Sequence, residues 1–90
     1  MSPFIDNKAA QRFELAFGND VVFATYRRNG NIISILHVEA PPSLRGSGAA
    51  GTFMQAMMEQ LQKEQVKVVP VCGYAAAWIQ RHKEFHSLLG

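Results

Sequence analysis

Cysteine is almost absent from this chain, and Cys72 is the only one. No intramolecular disulfide can form, and neither a Cys₄ nor a Cys₂His₂ zinc site can be assembled. Charge of one sign is equally scarce. Lys and Arg number 9 against 7 Asp and Glu, a formal net charge of +2, too weak a bias to imply nucleic acid by itself. No apolar run approaches the length of a bilayer span. The opening stretch Met1-Ser2-Pro3-Phe4-Ile5-Asp6 has neither the basic n-region nor the apolar h-region of a secretory signal. The expectation is a protein of the reducing cytoplasm, without membrane association. What the chain does have is 48% hydrophobic residues over 90 positions, which argues for a folded core and for one domain spanning residues 1–90. So short a chain buries a smaller share of its surface than a larger domain does, so modest stability is expected.

Residues 1–10 read as a loosely held lead-in. Residues 12–17 alternate, with Phe13, Leu15 and Phe17 on one face and Arg12, Glu14 and Ala16 on the other, as in a half-buried strand. Gly18-Asn19-Asp20 is turn chemistry. Residues 21–28 are rich in β-branched and aromatic side chains and read as a second strand. Asn29-Gly30 follows and predicts a type I′ hairpin turn into a third strand over 31–39. Pro41-Pro42 stops that strand. From Ala49 to Gln65 the period becomes helical, with Ala50, Phe53, Met54, Met57 and Leu61 sharing a face. Residues 66–72 are nearly all apolar, as in a strand covered on both faces. Pro70 has no N–H, so that strand must lie at an edge or face a gap in the ladder. Strand, helix and strand in this order suggest one right-handed crossover onto the three-strand meander. Residues 74–81 and 83–89 read as two short terminal helices. No repeat, linker or low-complexity segment interrupts the chain.

Gly46-Ser47-Gly48-Ala49-Ala50-Gly51 matches G-x-G-x-x-G letter for letter. A dinucleotide site would need those glycines in the first βα turn of a parallel sheet, with an acid roughly 20 residues on. Three antiparallel strands come first here, and the matching position near Val71-Cys72 carries no acid. A Walker A loop fails as well, since no Gly-Lys-Ser/Thr follows. The local physics outlives both readings. Unpaired N–H groups at a helix start, the helix dipole and the Arg45 charge together suit a phosphate or pyrophosphate. The plainer alternative is a tight strand-to-helix turn whose glycines serve packing.

Arg45-Gly46-Ser47-Gly48-Ala49-Ala50 also fits R/Q-x-x-G-x-G/A, the coenzyme A pyrophosphate loop of the GCN5-related N-acetyltransferases (GNAT). The chain resembles the very small, stand-alone members of that superfamily. The resembling blocks are Leu36-His37-Val38-Glu39, Pro41-Pro42-Ser43-Leu44-Arg45-Gly46-Ser47-Gly48, Lys67-Val68-Val69-Pro70-Val71-Cys72-Gly73-Tyr74 and Ala77-Trp78-Ile79-Gln80-Arg81-His82-Lys83-Glu84-Phe85. They run in order over about residues 12–89. The fold this implies is α+β: a minimal GNAT-like, mostly antiparallel mixed sheet, a three-strand meander plus one parallel strand after a crossover helix, with C-terminal helices. The resemblance implies acetyl-CoA as ligand. Its pyrophosphate would lie on Arg45, Gly46, Ser47, Gly48, Ala49, Ala50 and Gly51. Its pantetheine arm would pass between two splayed strands, beside His37, Val38 and Glu39 on one and Cys72 on the other. The chain lacks the helices that larger members place between their first two strands, where much of the acceptor site is built. The family's tyrosine general acid falls near Ile79 in this frame.

Acetyl transfer to an amine needs a deprotonated nucleophile, a polarised thioester carbonyl and a proton for the departing thiolate. His37 and Glu39 are two apart on one strand, so their side chains share a face, and either suits a general base. The plainer reading makes His37 an edge histidine and Glu39 a solvated strand end. Cys72 could accept the acetyl group with His37 as its base, or be a small buried hydrophobe. Tyr74 could protonate the CoA thiolate, or pack its ring and satisfy its hydroxyl locally. Trp78 and the Met54, Met57, Met58 group read as core. Arg81, His82, Lys83 and His86 form a basic cluster that could meet the CoA 3′-phosphate or an acidic partner, or be a solvated helix face. His82 and His86 are four apart, but no suitably placed carboxylate joins them, so no metal site is expected.

The expected function is acetyl-CoA binding with acetyl transfer to a small amine or a protein lysine. The alternative is a non-catalytic acyl-CoA-binding or sensor module, which the missing acceptor helices favour. Nucleic acid is the least supported partner. A monomer and a homodimer are both compatible with the sequence.

Overall fold

Strand-forming segments, with glycine turns at Gly18 and Gly30, put five strands in the order in which they occur in the chain. The computed structural model describes residues 4–90. The strands are β1 (Phe4–Asn7), β2 (Arg12–Phe17), β3 (Asp20–Asn29), β4 (Ile32–Glu39) and β5 (Lys67–Pro70), in the sheet order β1-β2-β3-β4-β5. The first four run antiparallel to their neighbours. β5 joins β4 in parallel after the crossover helix α1 (Ala49–Glu64). A second helix, α2 (Gly73–Gln80), and a 3₁₀ segment (Lys83–Leu88) close the chain. Among the described residues, no helix is long and apolar enough to cross a membrane.

The lead-in expectation is corrected for residues 4–7, which are strand β1, so the meander has four strands rather than three; residues 1–3 lie outside the described residues. The alternation there is hidden because Asp6, a polar residue, sits at an inward position of the strand. Its carboxylate accepts a hydrogen bond of 2.6 Å from the buried Tyr26 hydroxyl. Burial, with the bond to Asp6 and its charge, pushes Tyr26 from 10.0 up to about 12. The folded value lies above the unfolded one. The tyrosine's contribution to stability is therefore complete below pH 10.0 and lost as the pH rises towards about 12. Tyr26→Phe should cost about 1–2 kcal/mol at neutral pH. In urea unfolding followed against pH, the variant should lose less stability than the wild type across that alkaline window.

Two further corrections concern turns and strand ends. The β3–β4 turn is closed by the pair Asn29↔Ile32, so its central residues are Gly30 and Asn31. Only Gly30 has positive φ, at 62°, where a type I′ turn needs two such residues. β5 is four residues long rather than seven, and only one of its faces is covered: Val68 is buried while Lys67 is exposed. Pro70 does sit on an edge strand of the sheet. The last segment is 3₁₀ rather than α, and Leu89 then bridges back to Val68.

The core lies on one face of the sheet. Phe13, Leu15, Val22, Ala24, Ile33, Ile35 and Val68 meet Phe53, Met54, Met57, Met58 and Leu61 of α1 and Ala75, Trp78 and Ile79 of α2 in one buried cluster. Each such large side chain contributes roughly 1.5–3 kcal/mol when taken out of water. The outward positions of the same strands carry no helix: Arg12, Glu14, Val21, Phe23, Thr25, Arg27, Ile32 and Ser34 are all exposed or half-buried. A β-bulge decides what β4 adds to that open face. Thr25 pairs with His37, but Tyr26 pairs with Ile35, so Leu36 is the extra residue. Uninterrupted alternation from Ile33 and Ile35 would turn His37 inward. The bulge instead packs Val38 against the core and leaves His37 and Glu39 outside.

Candidate active site

β4 and β5 part company at the pair Ile35↔Pro70. Beyond it the Ile35 carbonyl accepts both the Val71 and Cys72 N–H groups, each at 3.0 Å. β4 continues to Glu39, while the chain after Pro70 turns away into α2. The result is a fork, with Leu36, His37, Val38 and Glu39 on one prong and Val71 and Cys72 on the other.

The prong of β4 leads through a 3₁₀ turn (Pro42–Leu44) into the glycine loop and the start of α1. Gly46 and Gly48 have φ of 80° and 85°, the left-handed region that favours glycine. A Cβ at either would meet nothing within 4 Å, so the loop is open to solvent. Gly48 is the N-cap of α1, without a side-chain cap, and no acid lies in the first turn. The N–H groups of Gly46, Gly48, Ala50 and Gly51 have no acceptor within the described residues. This arrangement fits a phosphate group: free amides, a helix N-terminus and space for a ligand. Arg45 is exposed and uses its Nε on the Ala40 carbonyl at 3.3 Å, which leaves its terminal nitrogens free. Ser47 is different. Its N–H and hydroxyl both bond the Leu44 carbonyl, and its oxygen accepts from Ala49 N–H, so this residue holds the turn together. Gly51 faces α2, where an added Cβ would lie 3.9 Å from the Trp78 indole nitrogen.

His37 and Glu39 are brought together on the open sheet face, opposite Thr25 and Phe23 of β3. His37 Nε2 lies 3.3 Å from Glu39 Oε1, with side chains 59% and 51% exposed. Cys72 sits at the N-cap of α2, half-buried and packed against the core. Among the described residues it makes no side-chain hydrogen bond with His37 or Glu39, so the anticipated Cys–His pair is not formed. Tyr74, in the first turn of α2, is exposed. Partial burial pushes its hydroxyl above 10.0, opposed by the Arg81 charge and aided by Cys72. Ile79, where the family's tyrosine would fall, is buried in the core.

The C-terminal histidines have local duties. The His82 ring stacks on Trp78 at 3.6 Å and 8°, and its Nδ1 donates to the Trp78 carbonyl at 2.6 Å. His86 Nε2 donates to the carbonyls of Ile79 and Gln80 at the end of α2. The Trp78–His82 pair also lines a groove of about 500 Å³ between α1 and α2, with Gly51, Thr52, Gln55, Ala56 and Glu59 on the other wall. Sequence reading missed this groove. Its one signal was the spacing of Trp78 and His82, one helical turn apart.

The family model described as GCN5-related N-acetyl-transferase matches residues 12–88. The NMR solution structure of a GCN5-like candidate N-acetyltransferase from Staphylococcus aureus superposes with a TM-score of 0.70 at 18% identity, over 100% of this chain and 91% of that one. At that identity the likeness speaks for the fold, and it extends over all the elements that build the fork and the loop. The match of the family model over so much of the chain is decisive: the protein belongs to the GCN5-related N-acetyltransferase family.

Proposed function

We propose that this protein binds acetyl-CoA in the fork and loop and transfers its acetyl group to a primary amine. The observation that carries this reading is the continuity of the two features. The parting of β4 from β5 opens a slot at Leu36–Glu39, and the same strand runs within six residues into a loop of unpaired amides at the start of α1. Bound there, acetyl-CoA supplies an activated acyl group. Arg45 and the amides of Gly46, Gly48, Ala50 and Gly51 hold the pyrophosphate, with Ser47 and Ala49 shaping the turn. The backbone of His37, Val38 and Glu39 and of Cys72 flanks the pantetheine. A reducing, cytoplasmic setting suits such a site.

The chemistry then falls to three side chains. Glu39, with His37 beside it, takes the proton that the amine loses as the new C–N bond forms at the thioester carbon. Tyr74 gives a proton to the CoA sulfur as the C–S bond breaks. Its raised pKa keeps it protonated, the state a donor needs. Cys72, packed on the core and without a base at hydrogen-bond distance, is the weaker candidate for a nucleophile.

Calorimetric titration with acetyl-CoA and CoA, followed by CoA-release assays on amines, tests the reading. Saturable binding with turnover is the expected result. Binding without turnover on any amine would leave a non-catalytic acyl-CoA module, and no binding at millimolar ligand would reduce the loop to a packing turn.

A further inference from the structure

We infer that the groove between α1 and α2 is a subsite for an adenine nucleotide, read at the 6-amino group of its base. This rests on the acetyl-CoA reading above, in which the loop is the phosphate site, and deepens it. At about 500 Å³ the groove is of a size that holds a small molecule. One of its walls carries a group that calls for a ligand. Trp78 is the only tryptophan of the chain and is 5% exposed. Its indole N–H has no acceptor among the described residues, although a donor set so deep is normally bonded. That nitrogen stands at the loop end of the groove, 3.9 Å from where a Cβ on Gly51 would lie. The N–H groups of Ala50 and Gly51, in the first turn of α1, are unbonded as well. An indole donor beside free amides at the positive end of a helix suits a phosphate oxygen.

The far end of the groove has the opposite character. Glu59 lies eight residues along α1 from Gly51, about 12 Å at the rise of an α-helix. It is the only carboxylate on the groove walls. One of its oxygens accepts the Gln55 amide at 2.9 Å, which leaves the other oxygen and the Gln55 carbonyl as acceptors. Between the two ends Ala56 leaves room, and the stacked rings of Trp78 and His82 form a rigid aromatic wall. The Nδ1 bond to the Trp78 carbonyl holds the His82 ring in place. Donors, an aromatic wall and acceptors match, in that order, a phosphate, a base and an exocyclic amine. The Glu59 charge sits away from the phosphate end, and the exposed Arg81 and Lys83 flank His82 outside the walls, so the field at the loop stays favourable to an anion. Hypoxanthine carries a carbonyl oxygen in place of the amine and would set acceptor against acceptor.

Because no other tryptophan contributes, the emission of Trp78 reports on the groove. The protein is titrated with ADP, inosine diphosphate, acetyl-CoA and S-acetyl-4′-phosphopantetheine, which lacks the nucleotide, with calorimetry alongside. ADP and acetyl-CoA should change the emission, and the phosphopantetheine should not. ADP should bind about tenfold more tightly than inosine diphosphate, and Glu59→Ala should bring the two to parity. Trp78→Phe keeps a ring without the N–H. By calorimetry it should bind ADP and acetyl-CoA about tenfold more weakly, and the phosphopantetheine as the wild type does. ADP and inosine diphosphate bound alike, or acetyl-CoA bound with no change at Trp78, would overturn the inference and leave the cofactor reading standing. ADP bound and acetyl-CoA refused keeps the subsite, makes a free nucleotide its ligand and removes the cofactor reading. Binding of neither overturns both.

Discussion

Gly48→Glu should abolish saturable acetyl-CoA binding, weakening it by about 100-fold or more, while the protein stays folded. The two halves of that expectation have the same physical origin. Gly48 is the N-cap of α1, the N–H groups of Ala50 and Gly51 in the first turn are unbonded, and its Cβ direction is empty to 4 Å. A glutamate side chain can therefore enter without a clash. Its carboxylate also meets the positive end of the helix, an arrangement worth up to about 1 kcal/mol at an exposed helix end. That gain offsets much of the roughly 1–2 kcal/mol that a side chain costs at a φ of 85°. The same carboxylate occupies the amides that would receive the pyrophosphate and repels its charge. Gly48→Ala is the control: it pays the backbone strain without the charge and should lose stability but little affinity. Calorimetry on both variants, with urea unfolding alongside, separates the effects. If Gly48→Glu binds acetyl-CoA as tightly as the wild type, the loop is not the phosphate site.

The turn into α1 was legible because its conformation is written in consecutive residues. Two glycines at positive φ, an arginine before them and a helical period after them leave few other local structures. The β2–β3 hairpin and the apolar face of α1 were legible for a similar reason, since Phe13 with Leu15, and Phe53 with Met54 and Met57, mark their period directly. What escaped the sequence depends on partners distant in the chain. Asp6 reads as a surface residue until Tyr26, twenty positions on, supplies its hydrogen bond. The bulge at Leu36 leaves no mark in an apolar stretch, yet it decides that Val38 and not His37 meets the core. The turn of the chain after Pro70 follows from the doubly accepting Ile35 carbonyl, a contact from another strand. The groove between α1 and α2 exists only once both helices have packed. In each case local pattern was overruled by a long-range contact, and the face that carries His37 and Glu39, proposed above as the catalytic one, was set by one of them.

That face makes the second large expectation. Glu39→Gln and His37→Ala should each lower kcat by about 100-fold or more, the range in which a positioned general base contributes. Cys72→Ala should leave kcat within a few-fold of the wild type. The reasoning is geometric. Glu39 and His37 are in contact at 3.3 Å and reach solvent, where an amine can give up its proton. The Cys72 side chain packs against the core and behaves as a small hydrophobe there. A double-displacement route through Cys72 predicts the opposite order: loss of turnover in Cys72→Ala, an acyl-enzyme visible by mass spectrometry, and ping-pong kinetics. Tyr74→Phe adds an independent axis. If Tyr74 protonates the CoA sulfur, activity falls only as the pH rises through its raised pKa, above the ordinary tyrosine value of 10.0. The variant should lose that alkaline limb along with part of kcat. The effect belongs to the proton donor and not to the base, so it should appear unchanged in the residual activity of Glu39→Gln. A limb that persists in Tyr74→Phe would assign the donor to another group, while the Glu39 and His37 effects would stand on their own.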